Sequence, residues 1–336
     1  MVENQLGVHT NLMTACPLQL GDRCYCANRA VSFGAAAETA VLLLAHGSPE
    51  NSSQVPEFLN LVTGGRPLPP QVVAEVQHRY SLIGFSPLAC WTFLQADHLA
   101  QKLGVPVYVG MRNWRPLVSD TIRKMVADGV RDVIAICLAP QNSRTSVGLY
   151  RKSVEGESGA PFTLDFVESW HDHPQLIAAF SEKLLRDWKA ACAEFGSPVP
   201  VLFTAHSVPE RTIAEGDPYE HQTRETAAMV AKRAGLPPDG WHFAFQSQGM
   251  SGGKWLGPTV EDTLLSLKEK GHKAVFLQPI GFLCDHVEVL YDIDIGFQKF
   301  AKEHGLELRR AESLNGSELL TAALAEIVRS RVKTNR

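Results

Sequence analysis

The chain has 336 residues, of which 45% are hydrophobic and 20% are charged, as is typical of a globular protein with one or two α/β units. Its 32 basic and 36 acidic side chains give a formal charge of −4. No basic stripe is present, which argues against nucleic-acid and anionic-membrane ligands. The longest apolar runs, such as 40–45 and 274–277, are far shorter than the ~18 to 20 residues of a membrane span. We therefore expect no transmembrane helix.

The seven cysteines are odd in number and irregularly spaced. Such spacing favours reduced thiols and a cytoplasmic protein over a disulfide framework. Residues 1–37 lack the basic start and continuous apolar run of a secretory signal and show no periodicity. We predict a cytoplasmic protein with a poorly ordered N-terminal extension over residues 1–37.

From residue 39 onward, short β-branched runs alternate with longer amphipathic stretches, which is typical of parallel sheets with crossover helices. The predicted strands are 40–45, 105–109, 132–138, 163–167, 199–204, 242–246, 274–278 and 306–310. The predicted helices are 71–80, 91–103, 117–127, 174–195, 219–234, 259–268, 286–302 and 317–332.

Two short segments recur in the same order along the chain. Ala-His-Gly-Ser-Pro-Glu at 45–50 closes the first strand, and Ala-His-Ser-Val-Pro-Glu at 205–210 closes the fifth. Val-Glu-Ser at 167–169 and Ala-Glu-Ser at 311–313 each precede a long helix. The repeats predict an α/β protein of two similar Rossmann-like lobes, each a four-stranded parallel sheet flanked by helices. The predicted lobes are 38–196 and 197–332.

In open α/β sheets, ligands bind beyond the carboxyl ends of the strands. His206 lies at such an end. After the seventh strand, Asp285, Glu288 and Asp292 follow a helical spacing that would stack three carboxylates on one face. Asp285 could instead cap the helix, and Asp292 could be a solvated surface charge. Glu288 lies between two valines, where burial would raise its pKa.

An imidazole and a carboxylate in one cleft suit either a divalent metal or acid–base catalysis, and the residues alone leave both open. Other chemistries lack their motifs. The chain has no GxGxxG after a strand, no GxxxxGK[ST], no GxSxG and no HExxH.

Further sequence blocks, from about residue 40 to 330, resemble the ferrochelatase family, which inserts ferrous iron into porphyrins. The most specific blocks are Thr-Ala-His-Ser-Val-Pro at 204–209, Gly-Asp-Pro-Tyr at 216–219, Phe-Gln-Ser at 245–247, Trp-Leu-Gly-Pro at 255–258, Pro-Ile-Gly-Phe at 279–282 and Asp-His-Val-Glu-Val-Leu-Tyr-Asp at 285–292. The resemblance implies insertion of Fe(II) into protoporphyrin IX or coproporphyrin III, with release of two protons, in haem biosynthesis. It implies no tightly bound cofactor.

The same resemblance implies roles for individual residues. His206 and Glu288 would be the catalytic pair that contacts the metal or the pyrrole nitrogens, with Asp292 as a further metal-facing candidate. His46 is another, because its Leu-Ala-His-Gly-Ser segment resembles the start of the small sirohydrochlorin and cobalt chelatases. The residues expected to contact the porphyrin, through its carboxylates or its ring, are Arg79, Ser86, Met111, Arg112, Ser146, Tyr150, Trp255 and Phe282. Trp114 and Leu256 are additional apolar candidates.

The sequence departs from the family pattern at three places. His46 stands where relatives often carry a tyrosine or an apolar residue, and Gly296 stands where some members extend the carboxylate row. Residues 301–336 contain no cysteine, so we expect no iron–sulfur cluster. Two alternatives stay open: a cobalt or nickel chelatase acting on an earlier tetrapyrrole, and a haem-binding protein without turnover. The oligomeric state is not predicted.

Overall fold

The computed structural model describes residues 37–84, 86–157, 159, 161–248 and 253–332. The predicted N-terminal extension therefore lies outside the described residues, apart from residue 37. The strands are β1 (Thr39–Ala45), β2 (Val107–Met111), β3 (Asp132–Cys137), β4 (Thr163–Val167), β5 (Val201–His206), β6 (Trp241–Gln246), β7 (Ala274–Pro279) and β8 (Glu307–Arg310).

The α-helices comprise α1 (Val55–Val62), α2 (Pro70–Ile83), α3 (Leu88–Leu103), α4 (Val118–Ala127), α5 (Val147–Glu155), α6 (Pro174–Phe195), α7 (Glu210–Ala214), α8 (Tyr219–Ala234), α9 (Val260–Glu269), α10 (Val287–Leu290), α11 (Gln298–Glu303) and α12 (Glu318–Arg331). A π-helix at Asp292–Phe297 separates α10 from α11. None of these helices is both long and apolar enough to cross a membrane.

The eight strands form two parallel sheets of identical topology, in the orders β2-β1-β3-β4 and β6-β5-β7-β8. This arrangement confirms the predicted fold class of two similar four-stranded lobes. In each sheet the second strand along the chain pairs with one side of the first strand, and the third strand pairs with its other side. The resulting switch points lie beside β1 and β5, where a cleft forms beyond the strand ends.

Helices cover both faces of each sheet, so the inner strands are buried along most of their length. Residues 40–44 of β1 and 201–203 of β5 are fully buried. The helix that follows the fourth strand of each half crosses to the other half. Helix α6 packs against α8 and β7, and α12 packs against α3 and α6. The predicted boundary near residue 197 therefore falls between the two sheets. Helices α6 and α12 nevertheless pack against elements of the opposite half.

The structure differs from the predicted helices in two respects. Three short helices, α1, α5 and α7, are not among the predicted helices, because they span fewer than ten residues each and two begin next to proline. The single helix predicted over 286–302 is wrong. It is broken into α10, the π-helix and α11, and this break changes which side chains face the cleft.

Among the described cysteines, Cys137, Cys192 and Cys284 have free thiols. Cys90 is disulfide-bonded, so the expectation of uniformly reduced thiols is wrong at that residue.

Candidate active site

A cavity of about 630 Å³ lies between the carboxyl edges of the two sheets. Its volume falls within the usual range for small-molecule sites. Both lobes contribute to its wall. The loops after β1 and β3 supply His46 and Gln141, while β5 and the segment after β7 supply His206 and Glu288. The two copies of the repeated Ala-His segment thus meet across one hollow.

His46 and His206 have the same local geometry in the two copies. His46 Nδ1 lies 3.0 Å from the carbonyl oxygen of Gly47, and His206 Nδ1 is hydrogen-bonded to the carbonyl oxygen of Ser207. A carbonyl oxygen only accepts, so Nδ1 carries the proton in both rings. In the neutral imidazole, Nε2 is then the atom with a free lone pair.

The environments of these two Nε2 atoms differ. Nε2 of His206 lies 3.7 Å from Oε1 of Glu288, at the cavity. Nε2 of His46 lies 2.9 Å from the amide nitrogen of Asn113, which donates to it. Burial and the nearby Arg112 lower the pKa of His46. Protein groups thus engage both nitrogens of His46, while the lone pair of His206 points towards the Glu288 carboxylate.

His286 joins this pair, although the sequence reasoning did not single it out. Its Nε2 lies 3.6 Å from Oε2 of Glu288, and its Nδ1 donates to the carbonyl oxygen of Cys284 at 3.0 Å. Side chains two residues apart in an α-helix point in nearly opposite directions. His286 precedes α10 in an extended conformation, with φ −161° and ψ −176°. This break in helical geometry brings both side chains to the same side.

The three imidazoles determine the charge state of Glu288. Burial by itself would raise the pKa of Glu288, but His206, His286 and His46 together lower it to about 2. The expectation of a raised pKa is therefore wrong, because it counted the flanking valines and not the surrounding rings. Burial lowers the pKa of His286, and the Glu288 carboxylate outweighs that effect, so its net shift is upward.

This charge state gives a spectroscopic prediction. We expect the Glu288 carboxyl carbon to show no titration between about pH 4 and pH 8 in ¹³C NMR, because a carboxyl with a pKa of about 2 is ionised throughout that range. Comparison with a Glu288→Gln spectrum assigns the signal. A midpoint near the ordinary glutamate value of about 4.3 would contradict the prediction.

The predicted row of three carboxylates is wrong at its first member. Asp285 lies before α10 and does not face the cavity. Its carboxylate accepts hydrogen bonds from Ser313 at 2.7 Å and Asn315 at 2.9 Å. It also does not cap the helix, since the N-cap position belongs to His286.

Asp292 lies at the cavity one turn beyond Glu288, at the start of the π-helix. Its carboxylate accepts a hydrogen bond from Ser247 and lies 3.7 Å from Arg79. Burial raises the pKa of Asp292, and the Glu288 charge adds to this effect. The cavity thus holds one strongly ionised carboxylate and one that binds protons more readily. No group of three or more His, Cys, Asp or Glu side chains within the described ranges is arranged to hold a metal ion.

The structure brings most of the predicted porphyrin-contacting residues to this cavity. The predicted residues that line it are Arg79, Arg112, Ser146, Tyr150, Trp255 and Phe282. It does not bring Met111 or Ser86 there. Met111 is fully buried at the end of β2, and Ser86 is 2% exposed. The additional candidates Trp114 and Leu256 are also buried and do not line the cavity.

Comparison with known proteins shows where the chain belongs. The model of the family described as Ferrochelatase matches residues 38–332. A protein from Acidobacterium capsulatum named Ferrochelatase is 52% identical over 306 residues, covering 87% of this chain and 94% of that protein. The chain belongs to the ferrochelatase family. A Coproporphyrin III ferrochelatase from Geobacillus sp. strain WCH70 is 34% identical, with 87% of this chain and 97% of that protein covered.

These matches confirm the family and the enzyme class that the sequence blocks predicted. Among solved structures, SirB from Bacillus subtilis with Fe3+ superposes with a TM-score of 0.54 at 11% identity. The match covers 88% of this chain and 95% of that chain. At this identity the likeness shows the shared fold alone.

Further side chains of this ferrochelatase line the cavity without having been predicted. The hydroxyl groups of Ser48 and Tyr80 lie 2.9 Å apart on the wall of the first lobe. The hydroxyl of Tyr219 donates to the backbone oxygen of His206 at 3.0 Å, which fixes the end of β5. Tyr219 lies inside the block at 216–219 that carries the family resemblance, and Tyr80 directly follows the predicted Arg79; these positions are the signals that could have singled them out.

Gly47 allows the first lobe to close tightly behind His46. Its φ is +84°, and an added Cβ would lie 2.7 Å from Trp114 Cβ and 2.8 Å from Trp114 N. We expect Gly47→Ala to lower the free energy of unfolding by about 2 to 5 kcal/mol, because backbone strain and steric overlap add. Urea denaturation measures the change.

The matched control is Gly104→Ala. Gly104 has φ +71° with no atom within 4 Å of the added Cβ, so only the backbone strain applies, about 1 kcal/mol. Equal losses in the two variants would contradict the role assigned to the Trp114 contact.

Proposed function

We propose that this ferrochelatase inserts Fe(II) into a porphyrin bearing carboxylate side chains and releases two protons, as a step of haem biosynthesis. The observation that carries the proposal is the meeting of His206 and Glu288, 3.7 Å apart, in a cavity of about 630 Å³ between the lobes. A neutral imidazole and an ionised carboxylate are the two groups that this reaction needs. One accepts a pyrrole proton, and the other attracts the cation.

Each residue of the pair has a separate task. The Nδ1 proton of His206 is held by the Ser207 carbonyl, so Nε2 is free to accept a pyrrole proton. Glu288 is ionised at neutral pH, so its oxygens provide hard ligands for incoming Fe(II), a metal that accepts both imidazole and carboxylate donors. His286 lies 3.6 Å from the second oxygen of Glu288 and stabilises the ionised carboxylate. Asp292, with its raised pKa, receives protons that leave the reaction centre.

The cavity wall provides groups that match the rim of a porphyrin. Arg112 has a buried Nε with no hydrogen-bond partner within the described part of the chain, and its guanidinium lies 5.5 Å from the Tyr150 ring. Arg79 provides a second guanidinium near Asp292. We assign these arginines, with Ser146 and Tyr150, to the porphyrin carboxylates, because guanidinium and hydroxyl groups form charge-assisted hydrogen bonds with carboxylates. Trp255 and Phe282 would pack against the ring.

The decisive experiment compares substrates under anaerobic conditions at one fixed pH. Purified protein is mixed with protoporphyrin IX, coproporphyrin III or sirohydrochlorin and with Fe(II), Co(II) or Ni(II), and the Soret and Q bands are followed. The proposal predicts catalysed loss of the free-base bands with Fe(II) and one of the two porphyrins. Faster turnover of sirohydrochlorin would favour the chelatase alternative. Binding without metallation above the uncatalysed rate would favour the haem-binding protein.

We also propose that the enzyme acts in the cytoplasm without a tightly bound cofactor or iron–sulfur cluster. The free thiols of Cys137, Cys192 and Cys284 support a reducing compartment, whereas the disulfide-bonded Cys90 argues against it. Cell fractionation tests the location. Iron and sulfide analysis of the anaerobically purified protein, with its visible spectrum, tests the cofactor proposal.

A further inference from the structure

The repeated Ala-Glu-Ser segment at 311–313, which follows β8, lies next to residues 285–292, here called the catalytic segment. The hydroxyl of Ser313 donates to Asp285 Oδ1 at 2.7 Å. In the other lobe, Ser169 of the Val-Glu-Ser copy donates to the Pro140 carbonyl oxygen at 3.1 Å. Each serine therefore fastens the loop that follows the third strand of its own sheet. In the second lobe that loop leads into His286 and into α10, which contains Glu288.

All four polar groups of Asn315 form hydrogen bonds, three of them with the loop after β7. Its backbone N–H donates to Leu283 at 2.8 Å, and its carbonyl oxygen accepts from Gln95 of α3 at 2.7 Å. Its side-chain oxygen accepts from the Asp285 N–H at 2.9 Å, while its side-chain nitrogen donates to Asp285 Oδ2 at 2.9 Å. Asn315 is 5% exposed and has φ +49°.

Asp285 is thus held by several donors at once. Besides Ser313 and Asn315, the Arg310 guanidinium lies 3.5 Å from its Oδ1. These contacts fix both the backbone and the side chain of the residue that directly precedes His286. The extended conformation of His286, which brings its ring to the same side as Glu288, begins at this fixed point.

We propose that Asp285 and Asn315 form a clamp that positions the His286–Glu288 pair for metal insertion. The inference rests on the proposed function for its catalytic consequence, whereas the clamp itself rests on the contacts above. Neither residue lines the cavity. Both act through the conformation of His286, so they are positioning residues.

Asp285 and Asn315 differ only in a carboxylate and an amide of the same size, so the two residue types can be exchanged between the two positions. In Asp285→Asn, an amide nitrogen replaces one carboxylate oxygen, so it faces either the amide nitrogen of Asn315 or the Ser313 hydroxyl and the Arg310 guanidinium. In Asn315→Asp, two carboxylates would face each other. The double variant D285N/N315D restores both hydrogen bonds between the two residues: position 315 still accepts the N–H of position 285, and the side-chain bond runs in the reverse direction. The charge contact of position 285 with Arg310 is lost.

The test measures kcat and porphyrin KM for the wild type, both single variants and the double variant. We expect each single variant to lose at least about tenfold in kcat with KM within twofold, because porphyrin binding does not use the clamp. We expect the double variant to recover to within about threefold of the wild type. Each rate is normalised to porphyrin-binding sites counted by fluorescence quenching, so loss of folded protein does not register as loss of kcat.

Asp294→Asn is the control. Asp294 forms two hydrogen bonds of 2.7 Å with the same Arg310 but lies outside the clamp. We expect it to change thermal stability and to leave normalised kcat within about twofold. Normalised kcat unchanged in both single variants would overturn the proposal, and so would a double variant no better than the poorer single variant.

A second readout separates this proposal from the proposed function. Histidine ¹⁵N NMR reports the Nδ1 hydrogen bond of His286 to Cys284 without any substrate. The clamp predicts that this signal changes in both single variants and returns in the double variant. If the wild type does not metallate porphyrin, the proposed function fails, and the NMR series alone decides on the clamp. An unchanged His286 signal in the single variants would overturn it.

Discussion

Replacing Glu288 by glutamine is expected to reduce kcat for Fe(II) insertion by about a hundredfold or more. Glutamine keeps the size of the side chain and removes the negative charge that His206, His286 and His46 stabilise. Porphyrin binding should persist, because the groups assigned to its rim are elsewhere in the cavity. Stopped-flow absorbance measures metallation, and fluorescence quenching measures binding.

A matched control is available outside the cavity. Glu225 also pairs with a histidine, with its Oε2 2.8 Å from Nε2 of His171. We expect Glu225→Gln to keep kcat within about twofold of the wild type. A Glu288→Gln enzyme that retained more than about a tenth of the wild-type kcat would refute the role of this carboxylate.

Replacing His206 by alanine is expected to lower kcat about 10²- to 10⁴-fold, because the reaction loses its proton acceptor. The deletion leaves space beside Glu288 for a free imidazole. Added imidazole should therefore restore part of the rate in the variant and have no such effect on the wild type. Initial rates at increasing imidazole concentration measure this rescue.

Alanine at the exposed His221, whose side chain is 80% accessible, tests whether loss of any histidine has the same effect. We expect no change in rate. If His206→Ala is as active as the wild type, or if imidazole accelerates both enzymes equally, His206 is not the proton acceptor.

Fold and site were predictable to different extents. The strands could be predicted because parallel strands covered on both faces are continuous apolar runs, and the Ala-His repeat revealed the duplicated topology. His206 could be predicted as well, since a polar residue ending such a run must reach the carboxyl edge. Short helices such as α5 could not be predicted, because nine residues with an internal glycine give too weak a periodic signal.

Residues 285–292 show why the position of His286 and the charge state of Glu288 could not be predicted. A regular helix over 286–302 would place His286 and Glu288 on different faces and align Asp285 with Glu288. The extended conformation of His286 reverses both assignments. Asp285, which directly precedes His286, accepts hydrogen bonds from Ser313 and Asn315, far along the chain. Local spacing contains no information about such long-range contacts. The pKa of Glu288 likewise depends on His46, His206 and His286, which only the folded chain brings together.

The exchange of α6 and α12 between the halves has a consequence for the behaviour of the whole molecule. Each half completes its hydrophobic packing with a helix from the other, so neither half alone would bury its own apolar surface. The protein is expected to melt in one cooperative transition, with no stable half-molecule. Helices α6 and α12 join the two halves without lining the cavity, so we expect substitutions in their contact surfaces to affect the stability of both lobes together.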